Sequence, residues 1–136
     1  MAGPDDHDSR RRAEGIAAYA SQFGIAEEEV DTFMAGMLGE HMAEEAQYSA
    51  ASAWRDNALS RRDRSLIVIA SLITQGGVDA SLRGHLRWAP ENGVTREELD
   101  ELVALLAVYV GYPKASTGME LLREELGPMP GESAAP

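Results

Sequence analysis

Apolar residues recur at helical spacing along most of the chain, and strand-like alternation is scarce. Ile16, Tyr19, Ala20 and Phe23 mark one face of a first helix that Ser9 can cap and Gly24 can stop. Residues 1–8 before it read as a disordered N-terminus. A second helix, about 27–38, opens on Glu27, Glu28 and Glu29, which suit the positive end of a helix dipole, and carries Val30, Phe33, Met34 and Met37. A third, about 41–56, is rich in Ala and Ser, narrow side chains that permit close helix packing. Leu59 and Ser60 supply a staple and a cap for the fourth. Its run Leu66-Ile67-Val68-Ile69-Ala70, with Leu72 and Ile73, is the densest apolar stretch in the chain, so this helix should be central or lie in a subunit interface.

Gln75-Gly76-Gly77 breaks the fourth helix, and a fifth spans about 79–89. Asn92-Gly93 is a turn signal, because both residues tolerate positive φ. Thr95 then sits at an N-cap with Glu98 three residues on, the spacing of a capping box, and Val94 is placed as a hydrophobic staple. The sixth helix starts at Arg96. Leu99, Leu102, Val103, Leu106, Tyr109 and Val110 form one face and Leu105 and Val108 fill the flanks, so it should be buried nearly all round. Gly111 ends it, and Pro113 suits the first turn of a last helix running to about Leu126. Residues 127–136 hold no regular pattern and read as a flexible tail. The expected fold is all-α, a compact bundle of about six helices forming a single domain over 9–126.

Composition narrows the function. The net charge of −11 and the scattered basic residues exclude a generic nucleic-acid binder, which needs a basic stripe. No stretch approaches the ~20 consecutive apolar residues that cross a bilayer, and the acidic N-terminus does not resemble a signal peptide, so no membrane partner and a cytoplasmic location are expected. The chain has no cysteine, which removes disulfides, thiolate nucleophiles and Cys-ligated metals together. One histidine among scattered carboxylates makes no metal motif, so no metal is expected.

The fifth helix carries His85. At 100° per residue, Ser81 and Trp88 share its face, with Leu82, Leu86 and Ala89 at the border. That is a plausible wall for a small ligand, although a histidine satisfied inside a helical core has the same pattern. Arg87 lies about 200° around the helix. It points to an ion pair or a subunit contact. Of the basic clusters, Arg10-Arg11-Arg12 reads as a solvated helix start, and Arg61-Arg62-Asp63-Arg64 reads equally as surface charge or as an anion site. Trp54 and Tyr109 are core residues or second-rank ligand contacts, and Asp56, Asp63, Glu97 and Glu98 are caps and surface charges.

The run His85-Leu-Arg87-Trp-Ala89-Pro-Glu-Asn92-Gly-Val-Thr-Arg-Glu-Glu98, followed by Ala107-Val-Tyr-Val-Gly-Tyr-Pro113, resembles the carboxymuconolactone decarboxylase family. Trp54 followed by Arg64-Ser65-Leu66 extends the resemblance, which covers about 10–126. The sister alkylhydroperoxidase D-like proteins share the fold but place a Cys-x-x-Cys pair ahead of the histidine. Here Val78-Asp79-Ala80-Ser81 stands there, and Ser65 replaces their glutamate, so the chain falls on the decarboxylase side. Pro90 and the loop 75–80 depart from the family pattern.

The resemblance implies a cofactor-free carboxy-lyase of aromatic catabolism acting on a small molecule, a carboxylated unsaturated lactone. It implies His85 as general acid/base, and subunits joined in threes or sixes. Arg62 or Arg64 could bind a second carboxylate, with Ser81, Trp88, Trp54 and Tyr109 as further substrate contacts. Two alternatives stay open: a diverged member doing acid–base tailoring on another oxygenated ring, and a non-catalytic helical assembly protein. An enclosed cavity at His85 would favour an enzyme.

Overall fold

The computed structural model describes residues 3–55 and 58–132. All regular structure among these residues is helical: α1 (Pro4–Phe23), α2 (Glu27–Leu38), α3 (Glu40–Ala53), α4 (Arg61–Gln75), α5 (Asp79–Trp88), a 3₁₀ turn over Ala89–Asn92, α6 (Arg96–Val110) and α7 (Tyr112–Leu126). These are seven α-helices where about six were expected. Residues 1–57 and 58–136 form two compact units. Asp56, residues 1 and 2 of the expected disordered N-terminus and 133–136 of the expected tail lie outside the described residues.

The first unit is α1, α2 and α3. Helix α1 begins at Pro4 instead of after Ser9, with Asp5 and Asp6 in its first turn where the dipole favours acids. Gly24 ends it in the left-handed conformation, as its place in the pattern predicts. Val30 and Met34 of α2 are fully buried against Ala20 and Ala43, and Phe23 stacks on Tyr19 and packs against Phe33. Helices α1 and α3 meet backbone to backbone. A Cβ at Gly15 would fall 1.6 Å from the carbonyl oxygen of Gln47, so only glycine permits the approach. Asp31 of α2 accepts hydrogen bonds from Arg12 of α1 at 2.8 Å and from Gln47 of α3 at 2.7 Å. These bonds hold its carboxyl below the usual range, the Gln47 bond being the largest cause.

The second unit packs α4 to α7 around Ile69, Ile73, Leu86, Leu99, Val103 and Leu122. Both helix starts read from caps form as expected. Ser60 accepts from the Asp63 N–H, and Thr95 and Glu98 close a full capping box. Helix α5 gives way to the 3₁₀ turn after Trp88, because Pro90 has no N–H to continue the ladder and its ring crowds the preceding turn.

One burial expectation needs correction. Helix α6 is not buried all round: Leu105 is 60%, Val108 75% and Tyr109 79% exposed, and only Leu99 and Val103 are buried. On α4, Ile67 is 52% exposed, so its apolar run also reaches the surface. Periodicity identifies apolar faces but not what covers them, and in a four-helix unit each helix has one inward face.

Candidate functional site

Helix α5 sets the site, because the spacing of His85 and Trp88 turns both rings to one side of it. Their centroids are 6.0 Å apart with the planes tilted by 54°. Trp88 is buried and His85 half-buried. Burial, which disfavours the charged form, pushes the His85 imidazole below its ordinary value, so the resting side chain is neutral near pH 7. Ser81, one turn earlier on the same face, is exposed.

The arginines at the start of α4 divide among different partners. Arg62 pairs with Glu98 of α6 and, at 3.3 Å, with Asp63. Arg64 donates to the Leu59 carbonyl. Arg61 lies over the Trp88 indole, with its guanidinium carbon 5.9 Å from the ring centroid. No sequence pattern links those two positions, since they come together only when α4 and α5 pack.

A buried hydrogen bond fixes the turn that follows the histidine helix. Asn92 donates from its side-chain amide to the Ser65 hydroxyl at 2.8 Å, and both residues are buried. The chain pattern marked Asn92 only as a turn residue. The bond ties the 3₁₀ turn to α4, so His85 is held from the end of its own helix.

Tyr109 is turned to solvent on α6, and Trp54 is the half-buried C-cap of α3 in the first unit. Arg87 reaches Glu125 of α7 at 3.6 Å, and Arg83 bonds Glu125 at 3.1 Å and also pairs with Glu124. Arg87 thus makes the ion pair that its place on the far face of α5 implies. A cavity of about 230 Å³ opens between the N-terminal ends of α5 and α7, with Leu82, Ile73, Lys114 and Gly118 in its lining. On α5 it is lined by Asp79 and Leu82, and His85 does not line it. Among the described residues no group of three or more His, Asp or Glu could hold a metal ion, and no helix is long and apolar enough to cross a membrane.

The second unit is all-helical and sets a half-buried histidine beside a buried tryptophan, in a chain without a cysteine thiol. The carboxymuconolactone decarboxylase family model matches residues 40–124, more than half of the chain, and the chain belongs to that family. It is similar to a 4-carboxymuconolactone decarboxylase from Acinetobacter baylyi, 37% identical over 79 residues, which are 58% of this chain and 58% of that protein. The chain therefore spans less than two thirds of the length of that curated relative. No solved structure matches it.

Proposed function

We propose that the protein is a carboxy-lyase that decarboxylates a carboxylated unsaturated lactone without a cofactor, with His85 moving the proton. The observation that carries this reading is the half-buried His85 against Trp88, inside the part of the chain that matches the decarboxylase family. The relative's name, 4-carboxymuconolactone decarboxylase, gives the substrate class.

The chemistry needs little apparatus. The bond from ring carbon to carboxylate breaks, its electron pair flows into the conjugated lactone, and the charge collects on the carbonyl oxygen as carbon dioxide leaves. A proton from His85 then quenches the carbanion equivalent at carbon. Leu82, Leu86 and Trp88 bury an apolar side of α5 next to the imidazole, and a leaving carboxylate drawn toward such a neighbourhood would lose water, which raises its energy relative to uncharged carbon dioxide. An anionic substrate beside the imidazole also restores the proton affinity that burial takes away.

The exposed apolar residues of α4 and α6 support self-association, since Ile67, Leu105 and Val108 would lose their contact with water against another copy of the chain. Trimers or paired trimers are the assemblies expected on this reading. The test is an ultraviolet-absorbance assay of carboxymuconolactone and related lactones with wild-type protein, His85→Ala and His85→Gln. Consumption by wild type and a loss of roughly 10²–10⁴-fold in kcat for His85→Ala are expected. Equal turnover by the variant at unchanged helical circular dichroism would return His85 to a structural role.

A further inference from the structure

We infer that Arg61, held on the face of Trp88, is the residue that selects for a carboxylate the substrate keeps. The inference rests on the decarboxylase reading and adds which cation recognises the substrate. Of the three arginines opening α4, Arg62 is neutralised by Glu98 and Asp63, and Arg64 is turned back onto the Leu59 carbonyl. Arg61 pairs with no carboxylate among the described residues. It lies instead over the Trp88 indole.

Its position is electrostatically costly. Arg61 is the first residue of α4, where the helix dipole presents its positive end and favours acids over bases. A cation kept there without a carboxylate partner is one that an anionic ligand would relieve. A guanidinium placed over the indole keeps N–H donors with which it can meet a carboxylate in bidentate fashion. The Arg61 guanidinium carbon lies 5.9 Å and the His85 ring centroid 6.0 Å from the same indole, so one buried ring is shared by both groups. A small ring bearing a carboxylate arm, bound beside this indole, would place the arm at the guanidinium and the ring at the imidazole.

The carboxylate bound here is the one retained. Pairing the leaving carboxylate with a cation would stabilise it before reaction and slow the loss of carbon dioxide, so the cation has to hold the other. A lactone with two carboxylates fits, and a neutral lactone does not.

The test reads binding and turnover separately. In Trp54→Phe protein, Trp88 is the single remaining tryptophan and its fluorescence reports on the site. Furan-2,5-dicarboxylate, furan-2-carboxylate and furan-2-carboxamide are titrated into this protein and into its Arg61→Ala and Arg61→Lys forms. Expected is a loss of about ten- to a hundredfold in affinity for the two acids in Arg61→Ala, partial recovery in Arg61→Lys, and no change for the amide. With a lactone substrate, Arg61→Ala should raise KM and leave kcat within about twofold, as removal of uniform binding does. Acids bound equally by both proteins, or an amide weakened as much as the acids, would overturn the inference. Arg61-dependent binding of the acids without decarboxylation of any lactone would instead overturn the decarboxylase reading and leave the carboxylate site standing.

Discussion

Gly15→Ala adds a single methyl group, and the structure makes it severe. The new Cβ would lie 1.6 Å from the carbonyl oxygen and 2.6 Å from the carbonyl carbon of Gln47, both backbone atoms of α3 that no rotamer change can move aside. Ordinary contact needs about 3.5 Å, so α1 and α3 would have to part by about 2 Å along a closely packed line. Two effects compete. Alanine gains about 1 kcal/mol over glycine in helix propensity, whereas overpacking of this kind costs about 3 kcal/mol or more. The clash wins, and a net loss of about 2 kcal/mol or more is expected. Gly36→Ala is the control: Gly36 lies within α2 with nothing near the position of its missing Cβ, so only the propensity gain remains and the protein should become more stable by about 0.5–1 kcal/mol. Denaturant unfolding followed by circular dichroism measures both. A Gly15→Ala protein as stable as wild type would refute the packing of α1 on α3 described above.

The burial of His85 predicts a pH dependence of stability. Its folded value lies below its unfolded one, so on acidification the unfolded chain takes the proton first, near pH 6.5, and stability falls from there down to the folded pKa; denaturant midpoints across that window should slope for wild type and flatten for His85→Gln. An anionic substrate restores proton affinity, so the pKa seen in kcat should lie above that seen in kcat/KM, and coincident values would count against a titrating His85. Thr95→Ala removes one half of the capping box and should cost about 1 kcal/mol in unfolding free energy without changing KM. Light scattering at micromolar concentration should report a particle larger than a single chain, and Val108→Glu on α6 should reduce its mass.

Much of the helix layout could be read from local chemistry. Ser60 and Thr95 fix the starts of α4 and α6 through bonds that span only three residues, and Gly24 and Gly111 end helices through their own backbone freedom. Helix α1 starts ahead of the cap that Ser9 offers, because Pro4, Asp5 and Asp6 already favour a first turn. The face shared by His85 and Trp88 followed from helical arithmetic, since both lie on one element. What could not be read depends on pairs of elements. Arg61 meets Trp88, Asn92 meets Ser65, and Arg62 meets Glu98 only after α4 has packed on its neighbours. The same limit explains α6, whose apolar residues outnumber the positions that its own unit can cover.

The central claim is that His85 moves a proton in the loss of carbon dioxide from a carboxylated lactone. The most direct measurement follows carbon dioxide release and lactone consumption together for wild type and His85→Ala at matched folded concentration. The account predicts one carbon dioxide per lactone consumed by wild type, with both rates lower by about 10²–10⁴-fold in the variant. Lactone consumed without carbon dioxide, or equal rates in the two proteins, would contradict it.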